Sequence, residues 1–503
     1  MPARFVMPKR NAARTLVALA AVLAAWLALP TAASAATRYV APGAADSGTC
    51  AAAPCGSFSY AYRQAQPGEV VQVAAGTYPG QSVPNVAGRS AAAPVTFVPA
   101  PGAAVSLGGF DMAGGGGVVV SGIRTGSLDI VDVENVLVAG GSGTTIWLNN
   151  VRNVTIRGGS YGNKTDKQPV MVGAHPESHN VTFDGVEFHD AIATAPDVHT
   201  ECLMANNVQG LTIKNSLFRN CAYFGVLISS CCGGQLPPRD VLLESNVFEN
   251  TYQWNGQEAP CSMMIGGVRI ENLTFRNNTF ETPLCFSNTI HANTRFVGNL
   301  GASGTCASGV TYVNNVWQSR TCSASDRQAS GLMNDFVNPA GHDWHLKDGA
   351  AAIDKASPTE YPATDRDGKG RRGAPDAGAH EWGIPDAAPA PPGTGGQTPA
   401  RARLLRRVQL NRKTICHRRT RKCKVTVARL KVAAERKGRI VVKIRRAGGK
   451  RKLVRTLRVP LRKRARIIKI DGRKLRPGRY RVTATVISRG VRDRSRVLLL
   501  TVR

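Results

Sequence analysis

The sequence predicts an all-β protein: a solenoid of stacked parallel strands followed by a small β-sandwich. The main observation is a nine-residue repeat, with clear copies at Asn153–Tyr161, Asn180–Phe188 and Asp240–Phe248. Each copy alternates apolar and polar residues, which is the period of a half-buried strand, and then has a Gly, Asn or Ser turn and an aromatic residue. Such short strands bury their inward faces only when copies stack about 4.8 Å apart. Further copies are Gly210–Phe218, Asn272–Phe280 and Gly309–Trp317, with weaker ones starting at Gly117, Asn135 and Asn293.

Stacking of the copies predicts two kinds of ladder inside the solenoid. We expect the aromatic residues of successive copies to form a buried ladder that is core and does not serve as a platform for sugars. We also expect Asn215, Asn246 and Asn277 to stack at a turn and to hydrogen-bond along the solenoid axis. The aromatic positions are Tyr161, Phe188, Phe218, Phe248 and Phe280.

The first 35 residues have the pattern of a secretory signal peptide. Four basic residues precede an apolar run from Leu16 to Leu29, and the small residues Ala33–Ala35 follow. The run is shorter than the roughly 20 residues of a spanning helix, so we predict cleavage near residue 36, export, and no membrane span in the mature chain.

Export makes the 12 cysteines interpretable, because thiols outside the cytosol are usually oxidised. Cys50/Cys55, Cys306/Cys322 and Cys416/Cys423 are close enough in sequence to pair locally. The connectivity of the central six stays open, and we interpret the adjacent Cys231 and Cys232 as two structural bridges to different partners. The central six are Cys202, Cys221, Cys231, Cys232, Cys261 and Cys285.

The net charge of +32 is concentrated at one end of the chain. Residues 401–503 contain 39 Lys and Arg against 3 acidic residues, and residues 1–400 are slightly acidic. A Pro- and Gly-rich stretch over 384–400 predicts a linker, and alternating apolar positions after it predict strands of a β-sandwich. Because Tyr480 is the one aromatic residue of 401–503, base stacking is poorly provided for. We therefore expect an anionic polysaccharide or wall polymer as partner rather than nucleic acid.

The two ends of the solenoid resemble a known superfamily. Arg38–Gly43 and Gly68–Tyr78 look like the opening of secreted pectate-lyase-like proteins, which are right-handed parallel β-helices, and Ser57–Gln66 would be their helical cap. Trp344–Asp354 and Pro375–Glu381 are similar to its closing coils. The resemblance implies a right-handed parallel β-helix over 36–383. It does not select an activity, because the superfamily includes lyases, hydrolases, epimerases and non-enzymatic adhesins.

The spacing of the repeats predicts the position of a groove. Early copies start 18 residues apart, and the intervals then lengthen to 27, 30, 30 and 32 residues. Extra residues therefore enter consecutive coils between 162 and 271, and insertions in a solenoid usually emerge on one face. We expect them to form the walls of a groove.

One segment within these insertions carries the candidate catalytic residues. On a strand, Asp197, His199 and Glu201 would point the same way, roughly 6.6 Å apart, with their neighbours pointing inward. Such an outer row could supply an acid and a base, since His titrates near neutral pH. Two carboxylates about 6.5–9.5 Å apart would also suit inverting glycoside hydrolysis.

Several residues in and around the insertions are candidates for binding an acidic substrate. Lyase or epimerase chemistry on uronic acids needs a cation beside the carboxylate, and an exposed aromatic ring could stack on a sugar. The candidates are Lys164, Lys167, His175, Arg219, Arg239, Trp254 and Arg269. Asp365–Gly368 resembles a calcium loop, but Lys369 stands where another acidic ligand would be expected, so we interpret it as a turn and assign no cofactor.

These observations lead to two functional hypotheses. The first is a secreted, monomeric lyase or glycoside hydrolase acting on acidic polysaccharide in the groove. The alternative is a non-catalytic, adhesin-like surface protein that binds glycan in the groove and is held at the cell wall by the basic C-terminal domain.

Overall fold

The computed structural model describes most of the chain between residue 37 and the C-terminus. The described residues are 37–173, 176–195, 198, 200–230, 236–249, 253–254, 257–258, 261–266, 269–286, 293–304, 306–371, 373–383, and 405–503 with short breaks. The signal peptide predicted over 1–35 and the linker predicted over 384–400 lie outside them. The chain divides into two compact units, Met1–Gly396 and Gln397–Arg503. Among the described helices, none is long and apolar enough to cross a membrane.

The first unit is a parallel β-helix of three sheets, as the repeats predict, and within the described residues two sheets have twelve short strands and the third has nine. Sheet 1 contains Thr37–Val40, Val70–Val73, Val95–Pro99, Gly116–Ser121, Glu134–Ala139, Arg152–Arg157, His179–Asp184, Gln209–Lys214, Arg239–Glu244, Glu271–Arg276, Arg295–Val297 and Thr311–Val313. Sheet 2 contains Gly76–Tyr78, Val105–Leu107, Arg124–Thr125, Ser142–Gly143, Ser160–Thr165, Glu187–Ile192, Leu217–Cys221, Val247–Glu249, Thr279–Phe280, Leu300–Gly301, Val316–Trp317 and Arg327–Gln328. Sheet 3 contains Gln81–Pro84, Phe110–Ala113, Ser127–Val131, Thr145–Asn149, Val170–Val172, Leu203–Asn206, Val226–Ser229, Met263–Ile265 and Leu284–Phe286.

The inward side chains form one continuous core, and the aromatic ladder belongs to it. Phe188, Phe218, Phe248 and Phe280 stack with ring centroids 4.6, 4.7 and 5.1 Å apart. Tyr161 occupies the same position in the preceding coil, and all five rings are buried. The prediction that the ladder is core is confirmed.

An asparagine ladder also forms, although only Asn246 of the three predicted members belongs to it. Asn246 donates its side-chain amide to Asn278 (2.9 Å), and the same contact continues to Asn299 and Asn315 in the following coils. Asn277, the neighbouring residue, instead donates to the backbone carbonyl of Asp376. Asn215 bonds to Asp184 rather than to another Asn.

Both ends of the β-helix are covered. Phe58–Gln64 is an α-helix capped by Ser57, and it buries Phe58, Ala61 and Tyr62 as the sequence predicts. At the other end lie the 3-10 turns Leu332–Asp335 and Pro339–Gly341 and the antiparallel pair Phe336–Asn338 and Asp343–Leu346. We call residues 326–383 the closing segment. It packs against sheet 2, where Phe336, Trp344 and Ala379 join the side chains of Val247 and Leu300 in a second core.

Five disulfides lie within the described residues, and the three local pairs predicted from spacing are among them. They are Cys50–Cys55, Cys202–Cys221, Cys261–Cys285, Cys306–Cys322 and Cys416–Cys423. Cys231 and Cys232 lie outside the described residues, so their pairing stays a prediction.

The second unit is a β-sandwich with its own buried apolar core. One sheet contains Leu405–Leu410, Val427–Ala434 and Ala465–Asp471. The other contains Thr414–Ile415, Gly438–Arg446, Leu453–Leu461, Gly478–Ser488, Val491–Arg494 and Leu498–Val502, and the turn Gly472–Lys474 precedes Gly478–Ser488. Buried apolar residues such as Leu430 and Val432 alternate with exposed basic ones such as Arg429 and Lys431, which is the pattern that the sequence predicts.

Candidate functional site

The long connections of the β-helix lie on both sides of sheet 3. Between sheets 2 and 3 the chain makes long excursions over 193–202 and 250–262, and the second includes a short hairpin, Gln253–Trp254 with Gln257–Glu258. Between sheets 3 and 1 the longer connections are 85–94, 230–238 and 287–294, and 173–178 is of intermediate length. The strands of sheets 1 and 2, by contrast, are joined by short turns. The outer face of sheet 3, which we call the floor, therefore lies between these long connections, which we call the rims, and this is where the sequence predicts a groove.

The residues at the centre of each sheet 3 strand form one outward row, which we call the floor column. Hydrogen-bonded register aligns them across all nine strands. The floor column is Ser82, Asp111, Asp129, Trp147, Met171, Met204, Leu227, Met264 and Cys285. It spans about 38 Å at the usual strand spacing.

The first half of the floor column is acidic and aromatic. Asp111 and Asp129 are directly paired on neighbouring strands, and burial together with the adjacent Asp129 carboxylate raises the pKa of Asp111. Trp147 follows in the next coil and is 41% exposed, a large fraction for the largest apolar side chain. A carboxyl group with a raised pKa therefore lies two strands from an accessible indole ring.

The second half of the floor column is apolar. Met204 and Met264 pack around Leu227 with Phe224 and with the Cys261–Cys285 disulfide. Burial of these side chains fixes the base of the connections around 222–225 and 261–262. This half supports the rims and offers few groups for acid–base chemistry.

A polar cleft of about 420 Å³ opens where sheet 3 turns into sheet 1, and its lining residue Asn150 follows Trp147 by three positions in the chain. Asp132, Asn150 and Arg152 line it with Arg89 and several glycine backbones. The Asn150 amide donates to Asp132 (2.6 Å), which joins these two lining residues across neighbouring coils. Carboxylates, amides and guanidinium groups of this kind suit the hydroxyl groups of a sugar.

Glu201 is not on an outer face, so its predicted outward orientation is wrong. Its side chain is 0% exposed and accepts a hydrogen bond from Gln168 Nε2 (3.0 Å) in the preceding coil. The alternation fails because the sheet 3 strand begins only at Leu203. In addition, the disulfide from Cys202 to Cys221 holds this connection against the body. Asp197 and His199 lie outside the described residues, and their role stays a prediction.

Two predicted cations lie on sheet 2, away from the groove floor. Arg219 donates Nε to Glu187 (2.6 Å) and lies 3.8 Å from Asp190, so it is neutralised within the protein. Although burial alone would raise the pKa of Glu187, the charge of Arg219 holds it below its ordinary value. Lys164 pairs in register with Ala191 on the same sheet. Arg219 therefore links neighbouring coils of sheet 2, and the substrate-binding roles of Arg219 and Lys164 stay predictions.

The other predicted binding residues follow the rims of the groove. Lys167 is exposed in the connection from sheet 2 to sheet 3, and Arg239 and Arg269 are exposed where sheet 3 leads into sheet 1. Arg239 also contacts its neighbour Asp240 (3.0 Å). The backbone of Trp254 lies in the rim hairpin, but its side chain and all of His175 lie outside the described residues.

The sequence reasoning missed Asp111, Asp129 and Trp147, although a signal for them exists. The three positions are 18 residues apart, the same interval that separates the early repeat copies. That coincidence places them one above another in successive coils.

The calcium-like loop is a structural turn. Asp365 is buried, and its Oδ1 accepts the backbone N–H groups of Asp367 (3.0 Å) and Lys369 (2.8 Å). Its Oδ2 accepts the N–H of Glu381 (3.0 Å). Both oxygens are therefore used to fold the closing segment.

Comparison with known proteins gives a likeness in fold only. No protein-family model matches the sequence, and no curated protein matches it. A crystal structure of the pectate lyase Pel9A is 15% identical, covers 69% of this chain and 96% of its own, and has a TM-score of 0.36. An alginate lyase from Paenibacillus sp. str. FPU-7 is 15% identical, covers 58% of this chain and 98% of its own, and has a TM-score of 0.33. Such values carry no argument about activity, and the parallel β-helix fold rests on the three sheets described above.

Proposed function

We propose that the protein is an exported, polysaccharide-acting β-helix that holds an acidic glycan chain along the floor column of sheet 3. The observation that carries the proposal is the outward row Asp111–Asp129–Trp147, whose coils have short connections and adjoin the coils that carry the long ones. An outer face of this kind accommodates a linear polymer, since every coil adds one similar step along the axis.

Binding would divide between the floor and the rims. The exposed ring of Trp147 would stack on the apolar face of a sugar, and the neighbouring cleft would take its hydroxyl groups. Exposed cations on opposite rims, Lys167 and Arg269, would attract the carboxylates of an acidic chain. Export is supported by the predicted signal peptide and by the five described disulfides, which suit an oxidising compartment.

The paired carboxylates favour hydrolysis over β-elimination. Asp111, with its raised pKa, would protonate the departing glycosidic oxygen, and Asp129 would act on the sugar carbon as nucleophile or through water. A lyase would need a cation beside the uronate carboxylate, and the floor column contains no Lys or Arg. The adjacent positions of the two Asp residues, on strands about 4.8 Å apart, are nearer to the geometry of retaining enzymes than to that of inverting ones.

The test is turnover by the mature full-length chain on a panel of uronic-acid and neutral glycans. Reducing ends and the ultraviolet absorbance of unsaturated uronates are followed together. We expect new reducing ends without ultraviolet absorbance, and at least a 100-fold loss of rate in Asp111→Asn and Asp129→Asn. Asp348→Asn, which changes an exposed carboxylate of the closing segment, is the matched control and should retain full activity. A parallel rise in ultraviolet absorbance would show β-elimination and refute the assignment of the Asp pair.

The non-catalytic hypothesis is favoured by one observation on the second unit. Arg429 and Lys469 lie directly opposite each other on neighbouring strands, and both are exposed. Like charges in that position are destabilising unless a polyanion covers them. Asp471, the acidic residue on the same strand as Lys469, does not neutralise the pair, because it is already bound to Arg473 (2.9 Å). Glycan binding without turnover by any panel member would favour this surface-binding role.

A further inference from the structure

Three potential metal ligands converge in the closing segment, outside the groove. His345 lies on the strand Asp343–Leu346, and Asp367 lies in the turn after Asp365. His380 lies in 373–383, the last described stretch of the first unit. His345 Nε2 lies 2.6 Å from Asp367 Oδ2, and His380 Nδ1 lies 3.5 Å from the same oxygen. One ligand atom from each residue lies within 4.8 Å of the other two.

His380 gives an independent sign that a ligand belongs between these side chains. The residue is only 3% exposed, and its Nδ1 atom has no hydrogen-bond partner among the described residues. Leaving a buried polar atom without a partner is unfavourable by roughly 1–3 kcal/mol, so proteins rarely retain one without a reason. This nitrogen points towards Asp367.

The orientation of His345 is that of a metal-binding histidine. Its Nδ1 lies 2.7 Å from Asp343 Oδ1, while its Nε2 faces Asp367. Histidines that bind metals usually donate the second ring N–H to a carboxylate or carbonyl, which fixes the tautomer and the ring plane. Asp343 supplies that outer partner here.

We propose that His345, Asp367 and His380 bind a divalent transition-metal ion of the Zn²⁺ type. Two imidazole nitrogens and one carboxylate oxygen are a ligand set for zinc, whereas calcium takes six to eight oxygens. Tetrahedral bonds of about 2.0–2.2 Å place ligand atoms about 3.3–3.5 Å apart. The His380–Asp367 separation already matches this value, and the His345–Asp367 contact needs to open by less than about 1 Å.

The charges around the site tolerate such an ion. Arg366 lies 3.9 Å from Asp367 Oδ1 and opposes a cation, but the carboxylates of Asp343 and Asp367 exceed its single charge. The side chains of His345 and Asp367 are 40% and 28% exposed, so an ion can enter from solvent and retain water in its fourth position. By bridging three passages, the ion would fasten the closing segment that covers one face of sheet 2.

The experiment is a metal titration of the mature full-length chain, purified without a histidine tag and stripped with a chelator. Isothermal titration with Zn²⁺ should show one ion per chain, and Co²⁺ should give the visible absorption bands of a tetrahedral site. Asp367→Asn and His380→Gln should each weaken Zn²⁺ binding at least 100-fold. Thermal melting in chelator shows whether each variant is folded.

His342→Gln is the matched control, because His342 lies in the same segment but is bonded to Glu249 (2.6 Å). It should bind Zn²⁺ as the unsubstituted chain does. The proposal is overturned if the unsubstituted chain binds no stoichiometric Zn²⁺, or if Asp367→Asn binds it equally tightly. The absence of stoichiometric Zn²⁺ binding by the unsubstituted chain would overturn the proposal even if a variant fails to fold.

Discussion

Replacement of Trp147 by alanine tests the groove as a glycan-binding surface. The side chain stands at the end of the acidic and aromatic half of the floor column, with Asp129 on one side and Met171 on the other. Because 41% of it is exposed, its removal leaves the inward core unchanged. We expect weaker glycan binding with little change in the free energy of unfolding.

The expected size of the effect follows from the exposed area. A Trp side chain has about 250 Å² of surface, so the exposed fraction corresponds to about 100 Å² of ring and its edges. A sugar covering half of that area removes about 50 Å² from water, which contributes about 1.3 kcal/mol at about 25 cal/mol per Å². This free energy corresponds to about a tenfold increase in Kd.

The assay is titration of glycan oligosaccharides into the full-length protein, followed by calorimetry, at matched ionic strength. Trp382→Ala is the control, since Trp382 is equally exposed, at 42%, but lies on the closing segment. It should leave Kd unchanged. An unchanged Kd in Trp147→Ala, or an equal loss in both variants, would refute the assignment of sheet 3 as the binding face.

Three further predictions concern the ladder, a buried acid and the basic unit. Phe218→Ala should lower the free energy of unfolding by about 3–5 kcal/mol, because the buried Phe218 ring stacks between Phe188 and Phe248. Urea unfolding measures this free energy. A loss under about 1 kcal/mol would show that the ladder is not core. Burial raises the pKa of Asp376 to about 6, so the native state binds its proton more tightly than the unfolded chain does. Relative to Asp376→Asn, the unsubstituted protein should therefore lose of the order of 2 kcal/mol as pH rises from about 4 to about 7, and a stability difference that does not vary with pH between the two proteins would contradict this. Deletion of residues 397–503 should abolish salt-sensitive retention on an immobilised anionic polymer while the β-helix stays folded, and unchanged retention would show that the basic unit is not the contact.

The parts of the fold that sequence predicts best are those that repeat. The period of two within each copy and the recurring aromatic position specify strands, stacking and the ladder from Phe188 to Phe280 without reference to distant contacts. Local cysteine spacing likewise gave Cys50–Cys55 and Cys306–Cys322. Pairing of Cys202 with Cys221 could not be predicted, because it depends on how one particular connection lies against sheet 2.

The candidate site was predicted less well, for a related reason. Strand alternation assigned an outward face to Glu201, yet that residue precedes its strand and is buried against Gln168. Arg219 carries the expected charge, but Glu187 and Asp190 neutralise it, and such partners are not visible in a linear sequence. The cluster of His345, Asp367 and His380 comes together only when the closing segment folds, because 13 to 35 residues separate its members.

The most direct test of the central claim is a crystal structure of the full-length protein with an oligosaccharide from the best-bound panel member. The account predicts a sugar chain lying along sheet 3, with one ring over Trp147 and the glycosidic oxygen near Asp111 and Asp129. An ordered sugar chain on the outer face of sheet 1 or sheet 2, with the floor column bare, would contradict it.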